Sequence, residues 1–337
     1  MSATGANIDT GEEAVDGAFG VGMDYFMANV EERREIAANA TTLEEEEWET
    51  LSDRMVSVYQ ETTVGIEDLQ DAGLTRDLSL ATKVDLWSRG GEMSDADVTM
   101  DGETRSQEDR PTYSTSGVPI PIVHKDFRVS DRDLQSSRRM GNDLRTDGVA
   151  QATVSVTEML ERILFQGWDP TVRDSSGDTF TLYGYTTHPN RNTVAGSDWG
   201  TAGNIRDDIV SSLDALDTDE RTAGGFWMYV APTQYREFRS AVDPDGDGNL
   251  TVRERVTNEF DPEIGAVRRA SFLPDGEAVM VDPSPDVVEL AVAEDVQTIE
   301  WQSGSGMTNH YKVMAAMAPE IKADSSGQSG VVHLTGI

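Results

Sequence analysis

Twelve residues, DPDGDGNLTVRE from Asp243 to Glu254, carry the most specific chemical pattern in the sequence. Carboxylates alternate at Asp243, Asp245 and Asp247, an amide follows at Asn249, a hydroxyl at Thr251, and a glutamate, Glu254, closes the run. This is the oxygen-ligand spacing of an EF-hand calcium loop. In such a loop the aspartates give one oxygen each, Asn249 a backbone carbonyl, Thr251 a side-chain or water-mediated contact, and Glu254 two oxygens. Gly248 allows the sharp turn, Leu250 is the apolar anchor, and helices are expected on either side, TQYREFRSAV before and TVRERV after. The expected ligand is a divalent cation, calcium with magnesium as the alternative. A single loop without a paired one fits a structural site better than a sensor. The competing reading is an acidic surface loop, because the spacing arises more easily by chance in a chain this rich in Asp.

Other chemistry is sparse, and no catalytic role is assigned to any residue. There is no G-x-S-x-G, H-E-x-x-H or G-x-x-x-x-G-K-[ST], so an enzyme is not expected. GAFGVG at 17–22 lacks the third glycine and preceding strand of a nucleotide loop. The sequence has no cysteine, which excludes disulfides, thiolate metal sites and cysteine nucleophiles. His124, His188, His310 and His333 are scattered among strand and turn residues. Arg132, Arg138, Arg139 and Arg145 could meet phosphate if their helices line an inner surface, but no basic patch interleaved with aromatics points to sequence-specific nucleic-acid binding.

Charge sets the environment. The 337 residues carry a formal net charge of −35, with 62 acidic against 27 basic residues, and only Lys83, Lys125, Lys312 and Lys322 are lysines. Self-repulsion of that size fades when the Debye length falls to ~3 Å near 1 M salt. The composition therefore reads as adaptation to brine; an acidic surface for a basic partner is the weaker alternative, since the acids are spread along the whole chain. Apolar periodicity and six tryptophans argue for a folded chain long enough for two packed units. No apolar run approaches the ~20 residues that span a bilayer, and residues 1–22 lack the plan of a signal peptide. Association with a membrane is not expected.

The elements that must position these residues are organised around SDRDLQSSRRMGNDLRTDGVAQATVSVTEMLERILFQGW, residues 130–168. Leu144, Val149, Ala152, Val156, Met159, Leu160, Ile163 and Leu164 fall at helical spacing on one face. Arg145, Gln151, Thr153, Ser155, Glu158, Glu161 and Arg162 make the expected polar face. Gly167 is placed to cap the helix and Pro170 to stop it. Ser130 with Asp133 resembles a capping box that opens a shorter helix, closed near Gly141.

Two helical patterns are expected between residues 24 and 60. ATKVDLWSRGG and PTYSTSGVPIPIVHKDF read as strands separated by about twenty polar, acidic residues, a length that within a compact domain points to protrusion. They should form a hairpin that projects from its own core and lies on another molecule. After the long helix come a strand and turn in TFTLYGYTTHP, a helix with Ile205, Ile209, Leu213 and Leu216 inward, a buried strand in GGFWMYVAP, a helix with Tyr235, Phe238 and Val242 inward, and several late strands, the last, VVHLTGI, expected at an edge. The fold class is α+β.

This order of parts resembles the Hong Kong 97-type major capsid proteins of tailed viruses and the related encapsulin shell proteins. IPIVHKDFRVSDRDLQSSRRMGNDLRTDGVAQATVSVTEMLERILFQGW is similar to that family's strand, short helix and spine helix. LYGYTTHPNRNTVA is similar to its Gly-to-Pro turn, FWMYVAPTQYREF to the strand and helix of the axial domain, and LPDGEAVMVDPSPDVVELAVAEDV to the return path. The resemblance covers roughly residues 60–337. It implies an N-terminal arm at 1–60, a peripheral domain at 61–77 and 122–184, an extended loop at 78–121, an axial domain at 185–285 and a return at 286–337. It also implies self-assembly as hexamers and pentamers into an icosahedral shell around double-stranded DNA bound without sequence specificity, in a virion assembled in the host cytoplasm. Decoration, portal and separate scaffolding proteins would be further partners. The alternatives are an encapsulin compartment and a calcium-dependent binding or hydrolytic module. The spine's apolar face is expected on the strands near Val288–Ile299, and its polar face, with Arg145 and Arg162, toward the particle interior. Lys83 lies where some members crosslink, but no pattern supplies the partner asparagine or acid, and crosslinking is not expected. The family has no general metal motif at the Asp-rich loop.

Overall fold

The computed structural model describes residues 64–90, 113–139, 144–173, 177–219, 224–240, 251–324 and 326–337, with residues 98, 100 and 110 between. The two helical patterns expected before residue 60 lie outside the described residues.

Two sheets dominate. The first has the order β1 (Thr75–Asp77), β11 (Val288–Gln302), β12 (Thr308–Ile321), β4 (Val123–Ser130). β11 and β12 run antiparallel from Val288↔Ile321 to Gln302↔Asn309, with register shifts between Val292 and Gln297. β4 closes the other side, antiparallel to β12 from Ala315↔Val123 to Thr308↔Ser130. Across it lies α3 (Leu144–Gln166), with the bounds its periodicity predicts. α1 (Val64–Asp71) rests on both α3 and β11. Val149, Val156, Leu160 and Leu164 share one core with Leu290, Val313, Ala315 and Met317.

Three expectations for this helix change. It packs on β12 and β4; β11 lies one strand further across the sheet, where α1 covers it. Leu144 and Met159, at the rim of the apolar stripe, are exposed. Arg145, Thr153 and Glu161 of the expected polar face are buried, because α1 and the β11–β12 pair close over that side as well. Arg145 is 3% exposed, pairs with Glu300 at 2.7 Å and lies over the Tyr311 ring. It is committed within its own chain. Arg162 is exposed, its guanidinium over the Phe272 ring.

The short helix α2 (Asp131–Arg139) starts as its cap predicts: Ser130 Oγ accepts from Asp133 N–H and donates to Asp133 Oδ2.

The second sheet has the order β7 (Asn192–Ala195), β13 (Val331–Thr335), β10 (Glu277–Val281), β8 (Phe226–Val230), β9 (Ile264–Arg269). α4 (Ala202–Thr218), α5 (Pro232–Ser240) and α6 (Val252–Glu259) cover it, with Trp199, Ile205, Ile209, Leu216 and Phe238 in a separate core. Val242 lies outside the described residues. β13 is not an edge strand. It is parallel to β7 on one side and antiparallel to β10 on the other, and its Val331–Leu334 run is buried, as suits an all-apolar strand interrupted only by His333.

Two hairpins stand beside these sheets. β2 (Val84–Gly90) and β3 (Tyr113–Pro119) form an antiparallel ribbon, and β5 (Trp168–Arg173) pairs with β6 (Thr179–Leu182). At the ribbon's foot Val118 and Ile120 join Ile163, Leu182, Ala316 and Ala318; toward its tip Tyr113 is exposed. Gly117 is needed at the foot, since a Cβ there would meet Leu86 and Asp85 at about 2.5 Å and the Phe180 ring at 3.1 Å.

Candidate functional site

The described side chains contain no catalytic constellation; what they build is a joint between the two sheets at the end of α3. A helix leaves its last carbonyls without partners. Here the turn after β6 supplies them. Tyr185 N–H donates to Leu164 O, Thr186 N–H and Oγ1 both donate to Phe165 O, and Thr187 Oγ1 donates to Gln166 O. Gly167 turns the chain at φ +76°, and a Cβ on it would meet Leu182 O at 2.6 Å. Gly184 is as tightly placed, its virtual Cβ 2.4 Å from Gly167 N. The turn is thus clamped to the helix that enters it, and the second sheet's first strand follows directly.

Behind the turn, Glu161 and Asp68 cross-brace the joint. Glu161, 2% exposed, accepts from Gly65 N–H at 2.8 Å and Ile66 N–H at 3.2 Å, the free donors at the start of α1. Burial pushes its carboxyl up to about 7, against the lowering effect of those hydrogen bonds. Asp68 accepts from Tyr229 O–H at 2.9 Å and pairs with Arg268 at 2.8 Å. Its carboxyl is also raised, by burial first, with Tyr229 and Arg268 opposing. Tyr229 and Arg268 belong to β8 and β9, so α1 ties the second sheet to the spine of the first. Phe165, Tyr185 and Tyr229 pack edge-on and stacked in the same place. Sequence reasoning missed this cluster. No local pattern marks it, because Asp68 and Glu161 each have further charged residues beside them, Glu67 and Asp71, and Glu158 and Arg162.

Of the candidate metal ligands, Asp243, Asp245, Asp247 and Asn249 lie outside the described residues. Thr251 and Glu254 open α6 as a capping box: Glu254 N–H donates to Thr251 Oγ1, and Thr251 N–H donates to a Glu254 carboxylate oxygen. Among the described residues no three His, Asp or Glu side chains are grouped to hold a metal ion. Of the arginine cluster, Arg145 is buried and Arg132 is exposed; the side chains of Arg138 and Arg139 lie outside the described residues. The histidines are separate as well. His310 stacks on Trp301, His124 lies beside Asp126, and His333 accepts from Arg191 Nε and faces Glu277. His188 belongs to the clamped turn.

A spine helix across a sheet, a second sheet hinged at its end and a ribbon beyond both cores is an architecture found in solved shells. The chain superposes on the virus-like particle subunit of Pyrococcus furiosus with a TM-score of 0.56 at 15% identity, over 86% of this chain and 99% of that one. It superposes on the capsid subunit of Myoviridae phage XM1 with a TM-score of 0.56 at 12% identity, over 77% and 87%. The fold is that of Hong Kong 97-type capsid proteins. In sequence, residues 37–334 match a family of unknown function, DUF6260. The chain belongs to DUF6260. Among curated proteins this DUF6260 member is 23% identical to the type 1 encapsulin shell protein EncA of Myxococcus xanthus over 285 residues, 83% of this chain and 90% of the relative. It is 21% identical over 203 residues to a diheme-cytochrome-encapsulin shell fusion protein of Kuenenia stuttgartiensis, spanning about half of that longer chain. Among the described residues of the DUF6260 chain no helix is long and apolar enough to cross a membrane.

Proposed function

We propose that this chain is the tile of a closed icosahedral protein shell. The observation that carries the reading is the joint: a compact two-sheet body clamped at the end of α3, with a ribbon whose strands run out to the exposed pair Gly90 and Tyr113. In this reading residues 61–77, 122–184 and 286–337 form the peripheral domain and 185–285 the axial domain. The ribbon within 78–121 lies over the next copy, and copies associate as hexamers and pentamers. The content we propose is double-stranded DNA, held without sequence specificity in a tailed virus of a high-salt host, with portal, decoration and scaffolding proteins as partners. A net charge of −35 per copy is compatible with DNA only because molar salt shortens the repulsion to about 3 Å.

The encapsulin relatives favour a second reading for the content: the same shell enclosing a cargo protein. Electron cryomicroscopy of particles purified in molar salt, with nuclease digestion of their content, separates the two. Large DNA-filled shells support the first reading, small shells with protein and no genome support the second, and a soluble monomer at all salt concentrations sinks both.

A divalent cation, calcium with magnesium as the alternative, is also proposed at Asp243, Asp245, Asp247, Asn249, Thr251 and Glu254. Supporting it, positions nine and twelve of the motif, Thr251 and Glu254, share the first turn of α6. Its role would be to hold the loop before α6 in one conformation.

A further inference from the structure

One face of the first sheet is covered at one end and open at the other. Residues paired across neighbouring strands point to the same side, and successive residues alternate. Glu300, Tyr311 and Phe127 form one such row, which faces α3, where Arg145 pairs with Glu300 and lies over the Tyr311 ring. The rows on either side of it therefore point away from α3: Ile299, Lys312 and Asp126 in one, Trp301, His310 and Arg128 in the other. On this second face Ala316 and Ala318 are covered by Val118 and Ile120 at the ribbon's foot. The two rows at the far end stay open. Ile299 is 42% exposed, Asp126 and Arg128 are exposed, and Met307, in the turn between β11 and β12, is 59% exposed. His310 lies flat on Trp301 among them.

Two properties of this patch point to what covers it. It gathers an isoleucine, a tryptophan, a methionine and an arginine; the last three are types that protein interfaces favour. It is also cationic in an acidic chain. Its two rows hold Arg128 and Lys312 against Asp126 alone, and Arg128 has no carboxylate partner among the described residues. A complementary segment lies in the same sequence. Residues 91–112, between the two ribbon strands, contain seven acids and two arginines together with Met93, Val98 and Met100. Val98 and Met100 are fully exposed, so neither rests on the patch of its own chain.

We infer that the open end of this face receives residues 91–112 of a second copy, with apolar side chains on Ile299 and Trp301 and carboxylates at Arg128 and Lys312. The inference rests on the shell reading and deepens it, by naming the surface on which the ribbon of the next copy lies.

The chain has no cysteine, so single introduced cysteines can be linked selectively. Val98→Cys chains and Ile299→Cys chains, carrying tags of different mass, are assembled together and treated with a short bismaleimide. Covalent pairs containing one of each chain are expected, several-fold above the level given by Val98→Cys with Thr257→Cys, whose second position is exposed on α6. Asp126→Cys, in the same row as Ile299, takes its place if the Ile299→Cys chain does not fold. Arg128→Glu should leave the melting temperature of the dissociated chain unchanged. It should lower particle yield several-fold at the lowest salt that supports assembly, because it sets like charges against each other. Particles that form without capture at Ile299 or Asp126, capture at Thr257 alone, or full particle yield from Arg128→Glu overturn this inference and leave the shell reading standing. A link formed within one dissociated chain of the double variant Val98→Cys, Ile299→Cys assigns the face to its own ribbon and overturns it as well. If the unaltered protein forms no particles at any salt concentration, both readings fall together.

Discussion

A carboxyl group that solvent cannot reach and that accepts two backbone N–H groups, as Glu161 does, is held by opposing forces. Desolvation wins, and the direction of the shift fixes its effect on stability. With an ordinary value of 4.5 in the unfolded chain and about 7 in the folded one, the unfolded state releases its proton first as pH rises. The contribution of Glu161 therefore declines between about pH 4.5 and pH 7 and is level on either side, by at most about 3 kcal/mol. Glu161→Gln cannot titrate. Urea midpoints of the two proteins at fixed salt should diverge across that window, with the unaltered protein losing ground as pH rises; a constant difference would refute the burial account. At the Asp-rich loop, Asp243→Asn with Asp245→Asn removes two proposed ligand charges and leaves the Thr251–Glu254 cap intact. Chelator should lower the thermal midpoint of the unaltered protein by a few degrees, equivalent to about 1–3 kcal/mol of ligand linkage, and leave the double variant unmoved. Equal response in both would reduce the loop to acidic surface. The sequence announces this loop because its spacing is local. It could not announce Glu161, whose burial depends on α1 closing over it from almost a hundred residues away.

At the scale of elements, the bounds of α3, its Gly167 cap and the Ser130 start of α2 were legible because each is decided within one or two turns of chain. The amphipathic reading of α3 failed at Arg145, Thr153 and Glu161 for the opposite reason: periodicity identifies the most apolar face, but a helix covered on a second side also buries polar groups that find partners there. The place of β13 within its sheet was hidden in the same way, since no local pattern says which strands will flank a third. Gly167→Ala should destabilise the chain by about 2 kcal/mol or more, from left-handed backbone cost plus the approach to Leu182 O, measured by thermal unfolding. The ribbon should be separable from the body. Because Gly90 pairs with Tyr113, replacing residues 91–112 by a two-residue Asn-Gly turn keeps the β2–β3 pairing. The shortened protein is expected to keep its melting temperature within a few degrees, by the low cost of loop changes, and to lose particle formation in size-exclusion chromatography with light scattering. Full assembly without the segment would remove the ribbon from the proposed contact.

For the whole molecule, charge is the dominant variable. With 62 acids and 27 bases the folded state crowds like charges that the unfolded chain spreads apart. Raising potassium chloride from 0.1 M to 2 M should increase the unfolding midpoint, most steeply below 1 M, where the Debye length falls from about 10 Å to about 3 Å. A midpoint insensitive to salt would contradict the reading of composition as adaptation to brine. The insertion of β13 between β7 and β10 has a consequence for time as well as for space. Until residues 331–335 have been synthesised and have reached that gap, β7 has no partner in the second sheet and β10 keeps one edge unpaired beside β8. Its parallel pairing with β7 closes a loop of well over a hundred residues, the kind of contact that forms late. β13 thus works as a completion step: the second sheet cannot be finished before residues 331–335 have been read.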